Sequence, residues 1–402
     1  MTNIVDQVSL GAIVQVRDRL LEQQAKGRKV LRLESGDPSF DIPVNVREAM
    51  EKALKDGFTH YTASTGIPSL REAIYRKVTT ENGLKVPGVD NVVVTNGAMH
   101  GLYILFRALL DPGDEVILPD PMWTEIAENI RLGGGTPVPV RLRPEAEYQY
   151  DPDDIEAAIT PRTRAIFINT PHNPTGAVAD RKTLEAIATL ADKRNVLLIS
   201  DEAYEHVIYD GEKHTSIGSI PAAQPRTISL FSMSKTYAMS GLRLGYIIIN
   251  DTHTLDRIKK LVRCTINGVN SVTQYGAVAA LNGSQDATHS MAKEYQMRRD
   301  VLFDAIEESP YLKAFKPHGA FYLWARIEPD WPGYKGKMDD WSMTNYLIDQ
   351  AAIGSAPGSA FGPAGAGHIR FAFSCSTAQV REAAGLLPGA MRSAKKIKNE
   401  TH

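Results

Sequence analysis

The sequence predicts an α/β protein in two domains, the larger built on a mainly parallel sheet. Three observations carry that prediction. Apolar runs such as Val196-Leu-Leu-Ile199 and Tyr246-Ile-Ile-Ile249 have the length of buried strands. They fall far below the roughly 18 residues that a membrane helix needs. Strands of this kind pass into glycine or proline turns and then into helical stretches, the alternation from which parallel sheets are made. A chain of 402 residues also exceeds what one small core organises.

Composition narrows the function classes. With 43% hydrophobic and 23% charged residues the chain is an ordinary globular one. A net charge of −2 and the lack of a long Lys/Arg run exclude an electrostatic footprint for nucleic acid. Lys395-Lys-Ile-Lys398 reads as a solvated helix end. Two cysteines, Cys264 and Cys375, and no charged-then-apolar leader give neither a disulfide framework nor a secretion signal, so a cytoplasmic location is expected. No repeat, low-complexity tract or metal-ligand spacing occurs, and no metal is expected. His100 and His172 read as local hydrogen-bonding residues.

Along the chain, residues 10–26 have helical composition and stop at Gly27. Val30–Leu33 is a short strand leading into Glu34-Ser-Gly-Asp-Pro, where Gly36 allows close backbone approach and Asp37-Pro38 turns the chain. Asn91–Thr95 is a strand, and Asn96-Gly-Ala-Met-His opens a helix whose free N–H groups make an anion site. Asp114–Leu118 is a strand running into a turn that holds Trp123. After a helical stretch near 153–158, the strand Ala165–Thr170 passes into Pro171-His-Asn-Pro-Thr-Gly176. The strand starting at Asn195 ends in Asp201, a carboxylate that needs a cation or hydrogen bonds at such a place.

Thr227–Phe231 alternates as a strand, so Lys235 emerges where the strand ends and the backbone turns irregular. Two hydroxyls, Ser232 and Ser234, precede it, and Arg243 with two glycines follows, a grouping suited to a phosphate beside an amine that can form a Schiff base. Leu244–Ile249 is a further strand, 255–263 a helix, and 267–270 a break. From about residue 285 the apolar strands give way to long charged helices and short strands. Arg370 sits inside the apolar strand Ile369–Ser374, where a structural salt bridge and capture of a ligand carboxylate are equal alternatives.

The segment Ser232-Met-Ser-Lys235, with Arg243 eight positions on, closely resembles the cofactor-lysine segment of the class I aminotransferases, the aspartate aminotransferase family of pyridoxal 5'-phosphate enzymes. Matches in the family's order extend from Gly36 to Arg370. The resemblance implies the PLP-dependent transferase fold type I, with a seven-stranded, mainly parallel sheet in the large domain and a smaller α+β domain made from both chain ends. The expected division is 1–45 for the amino-terminal arm and part of the small domain, 46–284 for the large domain and 285–402 for the small one.

It implies covalent cofactor attachment at Lys235 and phosphate contacts from Gly97, Ala98, Met99, Ser232 and Arg243. Tyr61, in Tyr61-Thr-Ala-Ser-Thr-Gly-Ile-Pro-Ser-Leu-Arg71, matches a tyrosine that reaches the partner's cofactor phosphate across a homodimer; by itself it reads as a half-buried tyrosine. Trp123 matches the ring that stacks on the pyridine, Asn173 and Tyr204 the ligands of the phenolic oxygen, and Asp201 the partner of the pyridine nitrogen. Gly36, Trp123, Asn173 and Arg370 match substrate contacts, with Arg370 on the α-carboxylate.

The implied activity is ping-pong transfer of the amino group of an L-amino acid to 2-oxoglutarate or a similar 2-oxo acid. A lyase on the same fold, such as a carbon–sulfur β-lyase, is the alternative. A regulator with an aminotransferase-like domain is disfavoured because about 30 residues precede Gly36. For the donor, Met99 suits neutral or aromatic side chains, while Arg263, expected to act across the dimer, suits aspartate.

Overall fold

The computed structural model of the chain describes residues 4–9, 11–333 and 340–397. Leu10, at the start of the expected first helix, and the side chains of 395–398 lie outside the described residues. The chain begins with α1 (Ala12–Ala25), β1 (Leu31–Arg32), α2 (Val44–Lys55) and α3 (Pro68–Thr80). Strands and helices then alternate: β2 (Val92–Thr95), α4 (Gly97–Leu109), β3 (Glu115–Asp120), α5 (Thr124–Gly133), β4 (Thr136–Arg141) and α6 (Pro152–Ala158). There follow β5 (Thr163–Asn169), α7 (Arg181–Arg194), β6 (Leu197–Asp201), β7 (Thr227–Ser232), α8 (Met233–Thr236) and β8 (Gly245–Ile249).

Helices α9 (Thr252–Thr265), α10 (Ser271–Asn282) and α11 (Asp286–Glu307) lead to β9 (Leu312–Phe315) and β10 (Tyr322–Ile327). The last elements are α12 (Asp340–Ala351), β11 (Ile353–Gly354), β12 (Ala356–Pro357), β13 (His368–Ala372) and α13 (Thr377–Ile397). Helix boundaries follow side-chain chemistry. Asp151, Asp180, Asp251 and Asn270 each accept a hydrogen bond from a first-turn N–H of α6, α7, α9 and α10.

Seven strands form the main sheet in the order β2-β8-β7-β6-β5-β3-β4, with β8 antiparallel to both neighbours and the other pairs parallel. Its interior strands are buried along nearly their whole length, which is why they read as continuous apolar runs and not as alternating ones. At one edge, β4 is mostly solvent-accessible and carries Pro137 and Pro139, residues that blunt further pairing.

A second, antiparallel sheet runs β12-β13-β10-β9 and places Arg370 between Trp324 and Ala356. Its strands β10 and β13 are as buried as those of the main sheet. The composition change expected near residue 285 is therefore in the helices, since α11 and α13 pack together beside this sheet. The chain ends meet through β1 and β11, which pair in parallel, and through α1, which buries Val16 and Leu20 against Ile348. One local expectation is corrected at Lys235: the chain goes straight from β7 into the single-turn α8, because Ser232 accepts a hydrogen bond from the Ser234 N–H.

Candidate active site

The carboxyl ends of β5, β6 and β7 present Asn169, Asp201 and Ser232 to one cavity of about 430 Å³. Open α/β sheets bind ligands at such strand ends. The second sheet closes the cavity from the other side with Tyr322 and Arg370. Lys235 lies between them. Its ammonium donates a 2.5 Å hydrogen bond to the Gly36 carbonyl, and burial pulls its pKa down to about 8. Gly36 is required there: a Cβ on it would come within 2.1 Å of the Tyr322 hydroxyl oxygen.

Asp201 is buried and accepts one hydrogen bond, 3.2 Å from the Ala203 N–H. Burial, with the adjacent Glu202 charge, pushes its pKa up to about 7. Among the described residues no side-chain cation pairs with it. A protonated ring nitrogen in the cavity would supply the missing partner, so this end fits a pyridine.

Arg370 takes part in no structural salt bridge among the described residues. Its guanidinium is buried, donates to Asn173 Oδ1 at 2.9 Å and to the Glu34 carbonyl at 2.8 Å, and leaves Nε without a partner. It lies 4.2 Å from the Tyr322 ring centroid, and no carboxylate among the described residues forms an ion pair with it. Asn173 is held in turn by its N–H donating to Asn169 Oδ1. Tyr204 and Tyr322 share a 2.8 Å hydrogen bond between their hydroxyls.

The opposite end fits a phosphate. Helix α4 starts at the cavity without a side-chain cap from Asn96, and Ala98 and Met99 line the wall. Gly97 is not itself a lining residue but makes room for one: at φ 76°, a Cβ on it would stand 2.3 Å from the Arg243 guanidinium. Arg243 donates to the Ser240 carbonyl and forms no ion pair among the described residues. Ser232 and half-buried Trp123 complete this part of the lining.

Of the expected site residues, Tyr61 and Arg263 stand apart. Tyr61 is 91% exposed in a surface groove formed by 59–62 and 267–271, not half-buried as its sequence alone suggests. Arg263 is exposed on α9. His100 and His172 make local hydrogen bonds, to Thr265 and Thr175 respectively, and burial holds the His172 pKa down near about 3.

Several lining residues had no signal of their own: Ile13 and Val14 from α1, Leu102, Met122 and Glu125. Tyr322 stood inside Gly319-Ala-Phe-Tyr322 but carried no assigned role. Behind Asp201, Glu202, Glu205 and His214 bring their ligand atoms within 4.8 Å of one another, a grouping that sequence spacing did not reveal. Lys77, Asn82, Ser216 and His214 already occupy these carboxylates, so the cluster is a satisfied polar network.

The family model "Aminotransferase class I and II" matches residues 28–387. The chain is 36% identical to an aspartate aminotransferase of Pyrococcus horikoshii, covering 98% of both chains. It is 35% identical to an aromatic-amino-acid aminotransferase 2 of Thermococcus litoralis, covering 92% of this chain and 93% of that one. A solved aspartate aminotransferase from Thermus thermophilus with maleate superposes with a TM-score of 0.89 at 34% identity, covering 97% of this chain and 99% of that one.

Proposed function

The chain belongs to the class I and II aminotransferases and is a pyridoxal-phosphate enzyme of the aspartate aminotransferase family, and from that premise we propose how its own residues carry out the transfer. The carrying observation is one cavity that holds a buried amine and, with no ion pair to either among the described residues, a buried carboxylate and a buried guanidinium: Lys235, Asp201 and Arg370. When bound, pyridoxal 5'-phosphate supplies a carbonyl that takes up the amino group and a conjugated ring that withdraws electrons from the α carbon.

Arg370 and Asn173 hold the substrate α-carboxylate, with Arg370 oriented by the Glu34 carbonyl. Lys235 Nζ, freed by the incoming amine, moves the proton from the α carbon. Its depressed pKa leaves roughly a tenth of it neutral at pH 7, so the base is available without a large pH change. Asp201 holds the ring nitrogen protonated, and that cation in turn keeps the carboxylate ionised. The α4 amino terminus at Gly97, Ala98 and Met99, with Ser232 and Arg243, would hold the phosphate. Trp123 would hold the ring by its flat face, and Asn173 and Tyr204 would hold its phenolic oxygen.

The donor is an L-amino acid, and 2-oxoglutarate is the first acceptor to test in a ping-pong cycle. Apolar lining from Ile13, Val14, Met99, Leu102 and Met122 supports a neutral or aromatic side chain. Arg263 from a second copy would support aspartate. The two relatives' names span the same division. We also assign 1–45 to an amino-terminal arm and part of the small domain, 46–284 to the large domain and 285–402 to the small one, supported by the pairing of β1 with β11 and of α1 with Ile348. A homodimer is supported by the exposure of Tyr61, and a cytoplasmic location by the free Cys264 and Cys375. No helix among the described residues is long and apolar enough to cross a membrane.

A single-turnover panel with aspartate, glutamate, tyrosine, phenylalanine, alanine and methionine, followed by the absorbance of the bound cofactor, tests the assignment. Stoichiometric 2-oxo acid from one half-reaction, renewed only by an acceptor, is expected. Steady pyruvate or ammonia without an acceptor would instead make it a lyase.

A further inference from the structure

Each cation lining the cavity has a task in the proposed transfer: Lys235 at the α carbon, Arg243 at the phosphate, Arg370 at the α-carboxylate. Of the carboxylates, Asp201 faces the ring and Glu34 pairs with Arg32. Glu125 has no such task. It sits in the first turn of α5, two residues after Trp123, and lines the cavity half-buried. The Thr124 hydroxyl donates to its Oε2 at 3.0 Å, and its Oε1 reaches toward Gly11, whose added Cβ would lie 3.6 Å away. No Lys, Arg or His pairs with it among the described residues.

An acid in a first helical turn complements the helix dipole wherever it points, so position on α5 alone explains its charge but not its direction. Its side chain lines the same cavity as Arg370 and Tyr322, and its charge opposes the burial that lowers the Arg370 pKa and adds to the burial that raises the Tyr322 pKa. Around it stand Ile13, Val14, Met99 and Leu102, none of which offsets a negative charge. A substrate with a second carboxylate would meet this anion in a cavity where, among the described residues, Lys235, Arg243 and Arg370 are the lining cations and each already has a task.

We propose that Glu125 is a specificity-determining residue that disfavours substrates with a distal carboxylate and favours those whose side chain ends in an N–H, O–H or cationic group. The proposal rests on the aminotransferase reading of the cavity. The same charge acts on both halves of a ping-pong cycle, so it also weakens binding of a 2-oxo acid that carries a second carboxylate.

The test titrates the holoenzyme by calorimetry with two unreactive carboxylates, succinate and 3-phenylpropionate, in the parent, Glu125→Gln and Glu125→Asp. The parent is expected to bind 3-phenylpropionate more tightly. Glu125→Gln should tighten succinate by roughly 10-fold or more and leave 3-phenylpropionate within about 2-fold, while Glu125→Asp keeps the parent's preference. The kcat/KM ratio of glutamine over glutamate should fall by roughly 10-fold in Glu125→Gln. Equal changes for both ligands, or no change, overturn the proposal. A parent that favours aspartate and loses that preference in Arg263→Ala also overturns it and leaves the aminotransferase reading intact. If the parent transaminates no amino acid, that reading falls, and the succinate titration still reports on Glu125.

Discussion

Lys235 Nζ donates a hydrogen bond to the backbone carbonyl of Gly36, tying the residue after β7 to a segment 199 positions earlier in the chain. The bond aims the amine across the cavity, and burial lowers its pKa from 10.5 to about 8. A lysine with a depressed folded-state pKa is harder to protonate folded than unfolded. Its burial therefore costs stability in full below pH 8, and the cost fades between pH 8 and 10.5. In cofactor-free protein, labelling of Lys235 by an amine reagent should rise through about pH 8 and level off above it. Peptide mass mapping that finds Lys235 still unreactive at pH 9 would refute this.

Lys235→Ala should fold and keep the phosphate contacts but lose turnover by several orders of magnitude, because the reacting amine and the proton carrier are the same group. Normal transamination by this variant would end the assignment.

Asp201 is expected to work in opposite senses without and with cofactor. Its folded pKa, about 7, lies above the ordinary carboxylate value, so its contribution to stability is greatest at low pH and is lost as pH rises through 7. Cofactor-free Asp201→Asn should thus melt higher than the parent at pH 8, by on the order of 5 °C, and match it near pH 4. With cofactor bound, the amide cannot hold the ring nitrogen protonated, and single-turnover proton removal should slow. Equal rates in variant and parent would remove that role.

Arg370→Lys should raise the KM of both donor and acceptor by roughly 100-fold, because an ammonium cannot reproduce the planar fork that engages Asn173, Glu34 and a carboxylate together. Unchanged KM values with lowered melting temperature would make Arg370 structural.

Tyr61 lies outside its own chain's cavity and is 91% exposed, as a residue serving a second copy would be. Tyr61→Phe should weaken cofactor affinity by roughly 10-fold. The parent should lose cofactor and activity on dilution to monomers. Monomers shown by sedimentation to retain both would exclude a composite site.

The strand ends that build the site were legible because each is a local event. An apolar run stops, and Asp201, Ser232 or Asn173 stands at or just beyond its end; period and turn chemistry carry that information within about ten residues. The direction of a side chain relative to distant elements is not local. Nothing near Arg370 in sequence states that its guanidinium has no carboxylate; that required β13 to lie between β10 and β12 and Asn173 to arrive from the other sheet. Ile13 and Val14 look like part of an ordinary amphipathic helix until α1 packs beside β12 and turns them to the cavity. Glu125 stands in the first turn of α5, and only the packing of α5 beside the amino-terminal segment makes it part of the cavity wall. The sequence by itself therefore placed Asp201, Ser232 and Lys235 at or just beyond strand ends, because backbone periodicity and turn geometry are short-range, and their roles in amino-group transfer were implied by the resemblance to the class I aminotransferases. Tertiary structure alone decided what faces the substrate side chain, because packing between elements far apart in sequence sets those directions.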